Sequence, residues 1–150
     1  MLHEGGGRIG ILDADIYGPS MHRMMNLKGR PQVTADKLLV PMENYGVKTL
    51  SMGNLVAEDS PTIWRGPMAM TAIDQLLHQA LWDPLDVLVV DLPPGTSDIH
   101  LSLSQRCALS GAVIVSTPQD IALIDARRAA NMFRQVNVPV RASAFSFSHS

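Results

Sequence analysis

Three short apolar runs, each closing on a polar side chain, constrain this chain more than anything else in it: Arg8 to Asp13 (RIGILD), Asp86 to Asp91 (DVLVVD) and Gly111 to Ser116 (GAVIVS). Val, Ile and Leu follow one another there without polar alternation. A strand built that way is covered on both faces, which is the situation of a parallel sheet flanked by helices. Parallel neighbours need crossovers of a dozen or more residues, and helical signals lie between the runs. Pro67 opens a stretch in which Met70, Ile73, Leu76, Leu77, Ala80 and Leu81 recur at helical spacing until Pro84 stops it. A second helix starts at Thr117-Pro118-Gln119-Asp120, with Thr as cap, Pro in the first turn and Asp facing the dipole; its expected buried stripe is Ile121, Ile124, Ala129 and Phe133. Ile99 to Ser104 alternates like a strand, yet it stands where a helical crossover belongs, so the period is set aside.

Leu38 to Pro41 and Val47 to Met52, joined through Glu43-Asn44-Tyr45-Gly46, read as a small β-hairpin. Val138 to Val140 is expected to begin a further strand, and residues 141–150 to form a tail without core pattern. With no internal repeat and no linker, the expectation is one α/β domain over residues 1–150, a doubly wound parallel sheet with a small β-hairpin insertion and a divergent tail at 141–150.

Composition narrows the function. The 150 residues are 46% apolar and 17% charged with net charge -2, which suits a folded α/β domain. Twelve basic residues against fourteen acidic ones, without a Lys/Arg block and with 5% aromatics, offer neither an electrostatic footprint nor stacking platforms for nucleic acid. The one cysteine, Cys107, cannot by itself hold zinc or an iron-sulfur cluster and reads as a packed thiol in a reducing compartment. His, Asp, Arg, Pro or Gly interrupts every hydrophobic stretch short of the roughly 18 to 20 residues a membrane helix needs, so no integral membrane segment is expected. The opening MLHEGGG has neither a secretory core nor an amphipathic presequence.

In a doubly wound sheet, ligands meet the carboxyl ends of the strands. Those ends carry Asp13 and Asp15, Asp91, and Thr117 with Asp120. At Asp91 an apolar strand ends in a carboxylate and runs into Leu92, Pro93, Pro94, Gly95, Thr96, Ser97 and Asp98, the form of a Walker B strand and its switch loop, where the carboxylate holds water on Mg²⁺ beside nucleotide phosphates. An Asp in that place also serves simply to cap the next helix. Asp13 and Asp15 present two carboxylates on one face of an extended segment, suited to a metal-water shell or to orienting an attacking water, and equally to a solvated strand end. No G-x-x-x-x-G-K-[ST] occurs in the 150 residues, so they contain no phosphate loop. The five histidines, His22 among them, lack metal spacing and read as structural or solvent-facing. Met21, Met24, Met25 and Leu27 form an apolar cluster for core or partner contact, and Trp64-Arg65-Gly66-Pro67 leads into a helix whose N-terminus could face an anion.

Taken in order, Ile11 to Ser20 (ILDADIYGPS), Ser51-Met52-Gly53, Trp64 to Pro67 (WRGP), Val89 to Thr96 (VVDLPPGT) and Val113 to Asp120 (VIVSTPQD) resemble the Mrp/NUBPL family of iron-sulfur cluster carriers, from about residue 8 to Val140. The MMNLKG stretch at 24–29 is closer to the mitochondrial NUBPL branch. The resemblance implies an incomplete doubly wound sheet of the MinD-like P-loop NTPase type. It implies ATP and Mg²⁺ as cofactors, ATP hydrolysis in a homodimer or in a heterodimer with a full-length relative, and an iron-sulfur cluster handed to apo proteins such as respiratory complex I subunits in the mitochondrial matrix. Carried over by position, Asp13 and Asp15 are the catalytic switch I pair, Asp91 is the Walker B residue that holds Mg²⁺ through water, and Pro94, Gly95, Thr96 and Asp98 belong to the nucleotide-binding switch II. The family's phosphate loop is expected before residue 8 and its Cys-x-x-Cys after Val140. No cluster ligands are expected within these residues, and the chain on its own is expected to be inactive. The pattern's abrupt end at Val140 suggests an alternative or a mispredicted transcript end. The alternative reading is a non-catalytic interaction module that pairs with a full-length relative.

Overall fold

A computed structural model of the chain describes residues 6–55, 66–95 and 98–145, with backbone only at Gly66 and at 141–145. The elements run β1 (Ile9–Asp13), α1 (Met21–Met24), β2 (Gln32–Val33), β3 (Leu39–Val40), β4 (Met42–Asn44), β5 (Val47–Ser51), α2 (Met52–Leu55), α3 (Gly66–His78), β6 (Val87–Asp91), α4 (Asp98–Arg106), β7 (Ala112–Ser116), α5 (Asp120–Gln135) and β8 (Val140–Phe145). They fall into two compact units, Met1–Pro93 and Pro94–Ser150. All three apolar runs are strands, and Ile99 to Ser104 is helical as its place between two strands requires.

In the first unit the strands lie in the order β4-β5-β1-β6. β1 pairs in parallel with β5 on one side and β6 on the other, and the register sets Asp13 level with both Ser51 and Asp91. Its residues are buried apart from half-buried Ile11, as a continuous apolar run predicts. α3 buries Ala69, Ala72, Ile73 and Leu76, which recur at i, i+3, i+4 and i+7. Leu12, Leu50, Ile73 and Leu76 are at most 1% exposed, and burying each stabilises the fold by about 2 kcal/mol.

Three expectations change here. The hairpin exists, but its first strand is Met42–Asn44, and its tight turn is Tyr45-Gly46 with φ of 53° and 72°, the left-handed pair that suits a two-residue hairpin. Leu39–Val40 pairs instead with Gln32–Val33. The second hairpin strand, β5, is an inner strand of the main sheet beside β1. Finally, α3 stops at His78, short of Leu81, because the backbone beyond it turns to Leu39: Leu39 N donates to Gln79 O and Leu81 N to Leu39 O. Leu81 is 42% exposed, while Trp82 is buried and donates its Nε1 to Leu76 O.

In the second unit β7 and β8 pair in parallel. Residues 141–145, expected as tail, are therefore strand. α5 begins at Asp120 behind an extended Gln119 that makes no side-chain cap bond, so Thr117 is not the cap and Pro118 precedes the helix. Its buried residues are Met132 and Phe133; Ile121 and Ile124 are exposed. The helix closes with Asn137 at φ 60°, where Asn137 N donates to Arg134 O and Val138 N to Phe133 O, a Schellman motif sealed by buried Val138. α4 buries Ile99, His100 and Leu103, and the His100 and Phe133 rings lie 6.2 Å apart.

Candidate functional site

Parallel strands that end in register place their last side chains side by side. Ser51, Asp13 and Asp91 close β5, β1 and β6 at one level, and the ladder runs one step further as Ala14 N donates to Asp91 O at 2.8 Å. Asp15 follows on the loop between β1 and α1. The three carboxylates expected from the sequence are thus gathered at the carboxyl ends of the first unit's sheet.

Their environments differ. Asp13 is fully buried. One of its oxygens accepts from Asp15 N at 3.2 Å, and the other accepts from Ser51 Oγ at 2.7 Å, Ser20 N at 3.1 Å and Met21 N at 3.0 Å. Four donors justify a buried carboxylate, and they hold the loop from Ala14 to Ser20 against the end of β1, to which Ser51 of β5 is also tied. Asp15 accepts from Tyr17 N and Gly18 N through one oxygen, a local turn that leaves the side chain half-exposed. The Asp91 carboxyl is pushed above its usual range, first by burial and then by the negative charges of Asp13 and Asp15.

The remaining predicted residues belong to the second unit. Pro94 and Gly95 are exposed, with Gly95 at φ 92°, and Asp98 is the acidic residue in the first turn of α4. Thr96, Ser97, Trp64 and Arg65 lie outside the described residues.

The residues bear directly on whether a divalent cation fits. Among the described residues no three His, Cys, Asp or Glu side chains are arranged to grip a metal directly. Asp13 has its oxygens occupied, so Asp91 and Asp15 are the carboxylates left to face an ion. A half-buried carboxylate facing two like charges suits a cation bound mainly through water, in the manner of Mg²⁺.

Three further participants have no role at the site on sequence alone, although Ser51 and Gly53 stand in the motif Ser51-Met52-Gly53. Ser51 Oγ, besides donating to Asp13, accepts from Gly53 N at 3.0 Å, and His22 Nδ1 lies 3.4 Å from it. Gly53 has the His22 ring packed where a Cβ would stand. The role of Ser51 is legible only with Val47–Ser51 as a parallel strand beside β1, and that of His22, structural or solvent-facing by sequence, only from its place beside Ser51.

Comparison with known proteins accords with this geometry. Residues 1–143 match the profile of the NUBPL iron-transfer P-loop NTPase family of the ParA class. The chain is 58% identical over 132 residues to the iron-sulfur cluster transfer protein NUBPL of Mus musculus, covering 88% of this chain and 41% of that protein. It is 56% identical over 133 residues to the Arabidopsis thaliana iron-sulfur protein required for NADH dehydrogenase, mitochondrial, covering 89% and 42%. It therefore spans about two fifths of the length of these relatives. Among solved structures, a nucleotide-binding protein from Archaeoglobus fulgidus in complex with ADP superposes with a TM-score of 0.76 at 34% identity, over 93% of this chain and 54% of that one. Parallel strands that end in aligned carboxylates, the ordered motifs around them and the match over residues 1–143 place the chain in the NUBPL iron-transfer P-loop NTPase family.

Proposed function

We propose that this chain carries the Mg²⁺-facing and switch portion of an ATP-dependent iron-sulfur cluster carrier. One observation supports this most: Asp91, at the end of β6 and level with Asp13 in the register, is half-buried and faces the negative charges of Asp13 and Asp15, an arrangement that a bound cation relieves. When bound, Mg²⁺ would neutralise charge on nucleotide phosphates. In this reading Asp91 holds the ion's water and Asp15 orients the attacking water, while Asp13 keeps the loop in place. Pro94, Gly95, Thr96 and Asp98 follow the nucleotide through switch II. The phosphate cradle comes from outside these 150 residues, which contain no phosphate loop. The cargo is an iron-sulfur cluster delivered to apo proteins such as complex I subunits in the mitochondrial matrix, by a homodimer or a heterodimer with a full-length relative.

A second reading, a non-catalytic module that pairs with such a relative, draws on Tyr17 and Met24, which are 76% and 68% exposed beside the acidic loop. Calorimetric titration of Mg²⁺ into the 150-residue chain, with far-UV circular dichroism as the folding control, separates the two, because an ion held at Asp91 does not need the phosphate cradle. Mg²⁺ binding that Asp91→Asn abolishes supports the carrier reading. A folded chain that takes up no Mg²⁺, yet co-purifies with a full-length relative, supports the module.

A further inference from the structure

We propose that His22 is a positioning residue: through Ser51 it fixes the buried carboxylate of Asp13 and so the acidic loop that bears Asp15. The case rests on the proton count at Ser51. Its hydroxyl has one proton, and the 2.7 Å contact directs that proton to Asp13 Oδ2. Gly53 N already donates to the same oxygen. At 3.4 Å, His22 Nδ1 then meets an oxygen with no proton to give, so the ring is the donor and carries a proton on Nδ1. Donation into Ser51 Oγ strengthens its bond to the carboxylate, because successive hydrogen bonds polarise one another.

The surroundings hold the ring in place. α1 ends in a Schellman motif, with Asn26 at φ 50°, Asn26 N donating to Arg23 O and Leu27 N to His22 O, and Leu27 buried beyond it. On the other side, a Cβ on Gly53 would overlap His22 Cε1 and Nδ1. Gly53 therefore serves both as donor to Ser51 and as the flat surface that admits the imidazole. The chain His22, Ser51, Asp13 ties α1, β5 and β1 together at the strand ends. This geometry stands without a nucleotide; only its consequence for Asp15 rests on the function proposed above.

The test uses the 150-residue chain and reads two signals: the His22 tautomer from imidazole nitrogen shifts, and hydrogen exchange of the Ser20 and Met21 amides that Asp13 accepts, with the Leu12 and Leu50 amides as the folding control. The wild type is expected to show Nδ1 protonated. His22→Phe keeps a ring beside Gly53 but removes the donor; Ser20 and Met21 exchange is expected to quicken about fivefold, the effect of losing one ordinary hydrogen bond. His22→Asn puts an amide donor where Nδ1 was and is expected to restore protection. Rescue by Phe and failure by Asn would make His22 packing alone and overturn the proposal, as would a bare Nδ1 in the wild type. Neither readout involves Mg²⁺ or ATP, so loss of ligand binding with an intact relay would count against the carrier reading only.

Discussion

The two ends of the four-stranded sheet are built on opposite electrostatic terms. At the amino ends charge is matched: Arg8 grips both oxygens of Asp86 through Nε at 3.0 Å and Nη2 at 2.7 Å, and Lys48 Nζ caps the carbonyls of Trp82 and Asp83 at 3.1 and 2.8 Å. At the carboxyl ends three carboxylates gather, and satisfaction is uneven: Asp13 takes four donors while Asp91 is half-buried and faces the like charges of Asp13 and Asp15. Charge is matched at one end and left crowded at the other, and the cation proposed above would act on the crowded end.

That contrast can be broken by substitution, and the largest effect is expected at Asp13. Asp13→Ala leaves Ser51 Oγ and three amides without their buried acceptor, so stability should fall by about 3 kcal/mol. Urea unfolding measures it, and a loss below about 1 kcal/mol would mean that the loop is held by something other than this carboxylate. At the matched end, Lys48→Met keeps the aliphatic stem but uncaps two carbonyls, and about 1 kcal/mol should be lost, read as a lower thermal midpoint.

The effect at Asp91 has the opposite sign. Because its folded pKa lies above the unfolded value of 3.8, the folded state binds more protons between the two, and wild-type stability falls as pH rises through that window. Asp91→Asn should therefore stabilise the chain at neutral pH by a fraction of a kcal/mol, after allowance for solvent screening, and should flatten the slope. A variant less stable than wild type would show that Asp91 is not crowded. Smallest is Arg8→Ala. Arg8 holds the Asp86 carboxyl far below its usual range, so its contribution is present above the unfolded value and is lost as acidification reaches the folded one. Without Arg8, acid unfolding should begin at slightly higher pH, and added salt should erase the difference.

The strands β1, β6 and β7 are readable because each is an unbroken apolar run, but the expected burial on both faces holds for β1 alone: Val87 and Val89 of β6 and Val113 and Val115 of β7 are exposed. β5 was misassigned to an insertion because Lys48, Thr49 and Ser51 make VKTLS look two-sided. Its Lys serves the edge, while its Ser and Thr are fully buried, and only the register reveals it as an inner strand. Asp13, Asp15 and Asp91 were legible as strand-end carboxylates. The division of labour among them was not, since it depends on donors from Ser20, Met21 and Ser51, each remote from Asp13 in sequence. Helix limits failed where tertiary pairing overrode spacing, as at Leu81, or where one amphipathic face was taken for another, as at Ile121.

The placement of β1 between its two partners also governs when the sheet can form. Ile9 pairs with Val47 and with Val87, 38 and 78 residues further along the chain. At translation rates of about 5 to 20 residues per second, the second partner follows the first described strand out of the ribosome by roughly 4 to 16 seconds. Throughout that interval the apolar segment Ile9–Leu12 has one flank without a strand, a state prone to intermolecular pairing. Yield in a cell should thus respond to chaperone cover on the nascent chain, and to slowed elongation between residues 47 and 87, more than to the final stability of the sheet.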